Sequence, residues 1–169
     1  MTLVHTRRNL LRGDLANRGD AVMRPPGAQP GFERLCDDCG ACARACPQKI
    51  VRRDARGGPV LDFARGACTF CGDCARACPT GALRAEDPAD WPWRARILET
   101  CLSLQGVSCR ACEDACEARA ISFRLRPGGR ALPVLEAESC TGCGECAATC
   151  PSQSITFERS QPARAEETA

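Results

Sequence analysis

The sequence predicts an α+β chain of two tandem modules, each with a small core, short hairpins and helices of one to two turns. Three observations carry that prediction. A cysteine pattern, CxxCxxCxxxCP, recurs with its spacing intact from Cys36 to Cys46 (CDDCGACARACP), from Cys68 to Cys78 (CTFCGDCARACP) and from Cys140 to Cys150 (CTGCGECAATCP). A stretched fourth copy runs from Cys101 through Cys109 and Cys112 to Cys116. Cys39, Cys42 and Cys46 stand about 70 residues before Cys109, Cys112 and Cys116, and Cys68 and Cys71 about 72 before Cys140 and Cys143, the fixed offset of a duplicated two-motif unit. Finally, each pair of motifs encloses a stretch that reads as a β-hairpin.

The four groups account for all sixteen cysteines. Their spacing is that of the bacterial ferredoxin run, in which thiolates hold a 4Fe-4S cluster and the fourth cysteine ligates the other cluster of a pair. Short gaps let one loop wrap three corners of the cube, and the proline after the fourth cysteine turns the chain away. Gly40, Gly72 and Gly144 follow the second cysteine of their motifs, where a missing Cβ lets the backbone approach the cluster and aim amides at sulfur. The modules are thus expected to be bacterial-type dicluster ferredoxin units with small metal-stabilised cores. With the crossover, Cys36, Cys39, Cys42 and Cys78 form one ligand set, and Cys68, Cys71, Cys74 and Cys46 a second. Cys101, Cys109, Cys112 and Cys150 form a third, and Cys140, Cys143, Cys146 and Cys116 a fourth. The third motif departs in three places: seven residues separate Cys101 from Cys109, Arg110 replaces the glycine and Glu117 replaces the proline. A three-iron cluster with Cys101 merely structural is the alternative there.

Other uses of cysteine fit less well. A secreted disulfide scaffold is also cysteine-rich, but it needs no repeated spacing and no signal peptide is expected here. Structural zinc usually takes two separated CxxC pairs, not three cysteines plus one. The single histidine, His5, leaves a Rieske centre or a mixed cysteine-histidine zinc site without ligands and reads as a solvated tail residue.

Aromatic residues make up 4% of 169 residues, tyrosine is absent and mean hydropathy is negative, too little apolar material for one large core. Units of about 55 residues bury only about 60% of their unfolded surface and are marginal without metals or disulfides. Folding and cluster insertion are therefore expected to be one event. The formal charge of +2 counts thiols as neutral, and four oxidised clusters with their thiolates bring it to roughly −6. That argues against a nucleic-acid partner, since the arginines serve a solvated surface and anionic clusters. No stretch approaches transmembrane length, so stable membrane insertion is not expected.

Along the chain, residues 1–31 form a basic arm. Its Thr6-Arg7-Arg8-Asn9-Leu10-Leu11 run looks like a twin-arginine signature, but no apolar region follows. The arm ends at Arg24-Pro25-Pro26-Gly27 and is either mobile or docked on the cluster surface. The first module spans 32–87, with a hairpin of Ile50-Val51 and Val60-Leu61 around Gly57-Gly58-Pro59. Residues 88–100 read as a linker carrying Trp91 and Trp93 as packing residues, with a short helix from Arg94 to Thr100 leading to Cys101. The second module spans 101–158. In its hairpin, Ile121, Phe123 and Leu125 alternate with polar residues before Pro127-Gly128-Gly129, and Leu132 to Leu135 returns. Short strands after Cys78 (Ala82-Leu83) and Cys150 (Ile155, Phe157) are expected beside those of the partner half. Residues 159–169 read as a disordered tail.

Four ferredoxin motifs in so short a chain, the N-terminal TRRNLLRG followed by RPP, the stretch CLSLQGVSCRACEDACEARAISFRLRP and the terminal CTGCGECAATCP resemble the NapF family of ferredoxin-type proteins. The resemblance covers most of the chain, and the stretched third motif is its most specific part. It implies a cytoplasmic accessory protein of periplasmic nitrate reductase, with four 4Fe-4S clusters. Its partner would be the precursor of that enzyme's catalytic subunit, whose maturation it assists before export. The sixteen cysteines carry over as ligands and no residue carries over as catalytic. Without the resemblance, the clusters alone suit a general one-electron ferredoxin for soluble redox enzymes. A cluster donor or scaffold is a third reading, one that would require labile sites. No dinucleotide fingerprint, Walker A run or nucleophile-base pair accompanies the cysteines.

Overall fold

The computed structural model describes residues 22–85 and 91–160. The twin-arginine-like run, His5, the first residues of the expected linker and the tail beyond Ser160 lie outside them.

Helices are short and tied to the cysteine motifs. They are α1 (Phe32–Leu35), α2 (Ala41–Ala45), α3 (Asp73–Arg76), α4 (Ala111–Asp114) and α5 (Glu145–Thr149). Each of α2, α3 and α5 begins after a glycine in the left-handed region, Gly40, Gly72 and Gly144, and carries the third cysteine of its motif. Alanine-rich sequences such as ACARA hold a helical turn at little entropic cost. The two expected hairpins are present. In the first, β1 (Val51–Arg53) pairs antiparallel with β2 (Pro59–Leu61); in the second, β4 (Ile121–Arg126) pairs with β5 (Arg130–Leu135). The first turn is set by Asp54, whose Oδ1 accepts the amides of Arg56 at 2.8 Å and Gly58 at 3.1 Å.

The expected linker is corrected by a third pair of strands. β3 (Trp93–Ile97) pairs antiparallel with β6 (Ile155–Arg159), so the stretch read as linker and short helix is a strand of the second half. The reason is a period of two: Trp93 and Ala95 are buried, and Arg94 and Arg96 alternate with them. The expected tail starts too early by the same evidence, because Arg159 pairs with Trp93, and Ser160 donates its N–H (2.7 Å) and Oγ–H (2.9 Å) to the carbonyl of Pro92.

In the first half the end of the arm takes the place of β3. Ala28 bridges Leu83, the amide of Gln29 donates to Ala82 O at 3.0 Å and that of Arg84 to Gly27 O at 2.9 Å. The segments after Cys78 and Cys150 therefore lie beside the chain entering their own half, not beside the partner half as expected. The described end of the arm is docked, and Arg24 fastens it. The Arg24 guanidinium is buried, reaching Asp54 at 2.9 Å, Glu33 at 3.2 Å and the Pro59 carbonyl at 3.0 Å, with its carbon 5.1 Å above the Phe32 ring centre.

Arg24→Ala is expected to destabilise the loaded protein by about 2–4 kcal/mol, since it leaves Asp54 without its cation and opens a hole over Phe32. Burial tends to raise the Asp54 pKa, but the Arg56 amide, the Arg24 guanidinium and the Gly58 amide outweigh it and hold it below the usual carboxylate value. A depressed carboxyl contributes stability above its unfolded pKa and loses it as pH falls through the folded one. Denaturation midpoints measured across acid pH should therefore be less steep in the variant than in the parent.

Each core is small and partly made of thiols. Phe32, Ile50, Val51, Phe63, Ala82 and Leu83 gather with Cys42 in the first half, and Ala95 and Ile121 with Cys112 and Cys146 in the second. The halves meet through aromatic residues. Phe63, in a 3-10 turn (Phe63–Arg65), lies 4.8 Å from Phe157 and against Gly144. Trp91 is 3% exposed and packs on Gly142 and Phe70, which makes it a packing residue, and Trp93 is buried beside it. Among the described residues no helix is long and apolar enough to cross a membrane.

Candidate metal centres

Each left-handed glycine starts a turn that brings the first three cysteines of its motif round one space, and the fourth cysteine leaves at the far end of the helix. Cys36, Cys39 and Cys42 line a cavity with Cys78, and Cys68, Cys71 and Cys74 line another with Cys46. Cys101, Cys109 and Cys112 line a third with Cys150. Of the remaining cysteines, Cys116 and Cys140 pack against the core that holds Cys146 together with Cys112 of the third set. Among the described residues, three of the four sets expected from the crossover each line one cavity.

Backbone amides converge on the fourth cysteines. Leu83 N–H points at Cys78 Sγ (3.4 Å), Ala120 N–H at Cys116 Sγ (3.2 Å) and Ser154 N–H at Cys150 Sγ (3.3 Å), while Ala95 N–H of β3 reaches Cys140 Sγ (3.4 Å). Sequence reasoning missed what aims three of these. The third residue after the fourth cysteine is left-handed in every repeat: Lys49, Gly81, Arg119 and Gln153, with φ of 54, 70, 51 and 50°. Only Gly81 signals that conformation in the sequence. The turn survives in the third motif although Glu117 stands where the others have proline.

The stretched motif is otherwise rebuilt. The seven residues after Cys101 coil into turns, with Gln105 N–H on Cys101 O at 3.0 Å and Val107 N–H on Leu102 O at 2.9 Å, and Ser103 Oγ–H donates to the Ala131 carbonyl of β5. Cys101 is buried on the same cavity as Cys109, Cys112 and Cys150. Arg110, in place of the glycine, has φ of −136° instead of a left-handed value. Its guanidinium donates to Glu113 (2.6 Å) and lies over Phe123, and Glu113 accepts the Phe123 amide (3.2 Å), which clamps α4 to β4.

Thiol acidity follows position. Burial pushes Cys74 and Cys112 up to about 11 and Cys146 up to about 12, and raises Cys36, Cys42 and Cys68. Cys78 and Cys150 go the other way. Burial tends to raise them too, but the amide of Leu83 with Thr80, and the amide of Ser154 with Ser152, outweigh it. Interior thiols of this kind need a metal to hold them as thiolates.

Among the described residues, which include all sixteen cysteines, no disulfide forms, and no three His, Cys, Asp or Glu side chains close on a point fit for one ion. Where four thiols line one cavity, their all-sulfur chemistry fits a 4Fe-4S cube with a metal at each corner.

The 4Fe-4S dicluster domain matches residues 35–82 and 107–167. The ferredoxin-type protein NapF of Escherichia coli (strain K12) is 38% identical over 160 residues, 94% of this chain and 97% of that protein. The chain belongs to the NapF family of ferredoxin-type proteins. NapF of Haemophilus influenzae is 38% identical over 80% of the chain and 78% of its own length. A more distant likeness is the methylamine utilization ferredoxin-type protein MauM of Paracoccus denitrificans, 37% identical over 76% of the chain and 66% of that protein. As a NapF-family member the chain is an iron-sulfur protein with two dicluster regions, built of small helices and short sheets, that bind 4Fe-4S clusters.

Proposed function

We propose that the two halves are tandem bacterial-type dicluster ferredoxin modules holding four 4Fe-4S clusters on all sixteen cysteines. We further propose that the protein works in the cytoplasm as an accessory of periplasmic nitrate reductase, assisting maturation of the catalytic-subunit precursor before export. One observation supports the cluster reading above others: Cys46, Cys78 and Cys150 each line a cavity with the first three cysteines of the opposite motif, and Cys116 packs with Cys140 on the core that holds Cys146. Membership of the NapF family supports the partner. The chain's own residues bind and insulate: thiolates hold the metal, the amides of Leu83, Ala95, Ala120 and Ser154 offset their charge, and the arginine-rich surface faces the anionic whole. A bound cluster of this class supplies one-electron exchange.

The test is to mix anaerobically purified protein with the nitrate reductase precursor and, separately, with soluble redox enzymes. A stable complex with the precursor is the expected result. Rapid electron exchange with the soluble enzymes and no such complex would favour the second reading, a general ferredoxin, which the exposed Cys39 and Cys71 edges support. Iron transfer to an apo-acceptor would favour the cluster-donor reading instead.

Cys101→Ser tests the third set. Iron should fall by up to about four per chain, or the spectrum of that cluster should change. Unchanged iron and spectrum would leave Cys101 a structural residue beside a three-iron cluster.

A further inference from the structure

We propose that electrons cross between the two halves at a single junction, where the Cys46, Cys68, Cys71 and Cys74 set abuts the Cys116, Cys140, Cys143 and Cys146 set. The four sites then form a line with the Cys36 set at one end and the Cys101 set at the other. The proposal rests on the four-cluster reading above and adds an order that cysteine spacing leaves open.

Within each half the order follows from the short helices. Helix α2 carries Cys42 of one set and delivers Cys46 to its neighbour, and α4 does the same for Cys112 and Cys116. Between halves, one contact joins the sets directly: the amide of Cys68 donates to the carbonyl of Cys143 at 2.7 Å. The surroundings close the same gap. Phe63, shortly before Cys68, packs on Phe157 and fills the space beside Gly144, next to Cys143. Trp91, buried, stands between Phe70 of the Cys68–Cys71 loop and Gly142 of the Cys140–Cys143 loop, its ring 6.4 Å from that of Phe70. Among the described residues, no hydrogen bond ties a cysteine of the Cys36 or Cys101 set to the other half.

The transfer at the junction is one electron. The site that gives it up is oxidised by one, the site that takes it is reduced by one, and no proton or covalent bond moves. The exposed Cys39 and Cys71 edges are the points at which a partner could exchange that electron with the first half.

The experiment uses the full chain, loaded and purified without oxygen, its iron counted and its clusters partly reduced with dithionite. Electron paramagnetic resonance relaxation then reports magnetic interaction between the halves. Cys39→Ser and Cys71→Ser are a matched pair, because both thiols are exposed and both are the second cysteine of a motif. The expected result is interaction between halves in the parent, unchanged in Cys39→Ser and altered in Cys71→Ser. Should a serine cost its cluster, loss at the Cys71 site must leave the Cys36 site magnetically isolated, and loss at the Cys39 site must leave three sites coupled. Two independent pairs in a parent with full iron, or equal effects of both serines, would overturn the junction. Parent iron far below about sixteen removes the four-cluster reading and the line with it.

Discussion

Stripping iron from the protein without oxygen is expected to abolish its cooperative thermal transition, not merely to lower the midpoint. The second half makes the case most plainly. Its buried core gathers Ala95 and Ile121 with Cys112 and Cys146, and partly covered Phe123, Leu135, Ile155 and Phe157 complete it. Side chains of that number and size bury little area at about 25 cal/mol per Å², while each ordered residue costs about 1–2 kcal/mol in backbone entropy alone. The space at the centre of each set, meant for metal and sulfide, becomes a void or fills with water between thiols that prefer to be neutral there. Strand pairing cannot compensate, since the sheets are two-stranded and such pairs are marginal alone. Calorimetry and far-ultraviolet circular dichroism of chelator-treated protein check the point. A sharp native-like transition in iron-free protein would show that the polypeptide supplies its own core.

What could be read from the sequence follows how local each feature is. The grouping of Cys78 and Cys150 with the cysteines of the opposite motif was legible because the spacing encodes the loops without reference to the rest of the fold. The β4–β5 hairpin was legible because Ile121, Phe123 and Leu125 alternate before a Pro-Gly-Gly turn. Strand β3 was not, although Trp93, Ala95 and Ile97 carry the same alternation. Its partner β6 lies some sixty residues away, and the Arg94 to Thr100 run also holds residues that favour helices. The docking of Arg24 on Asp54 and Glu33 had no local signal, and neither had the left-handed turns at Lys49, Arg119 and Gln153, where side chains sit in a conformation usually reserved for glycine. The contact between halves depends on tertiary shape alone. In the sequence Gly144 was legible only as a motif glycine approaching a cluster, whereas in the fold its missing side chain is the socket for Phe63.

That socket gives the second large effect: Gly144→Ala is expected to destabilise the loaded protein by about 2–5 kcal/mol, through two costs that can be separated. Gly144 has φ of 90°, so any side chain pays the left-handed penalty of about 1–2 kcal/mol. The new Cβ would also overlap the Phe63 ring, which already packs on Phe157 with ring centres 4.8 Å apart. Overpacking of this kind costs about 1–3 kcal/mol. Phe63→Ala alone opens a cavity and should cost about 3–5 kcal/mol. In the double variant the added methyl meets empty space, so the two losses should sum to less than their separate values by roughly the overpacking cost. Gly40→Ala is the control: its φ of 71° carries the same backbone penalty, but its nearest neighbour is the flexible Arg44 side chain, so only the smaller cost should appear. Chemical denaturation of the parent and these four variants, loaded with iron, measures both parts. Strictly additive losses for Gly144 and Phe63 would mean that the ring and the glycine do not meet, and the packing of one half on the other would have to lie elsewhere.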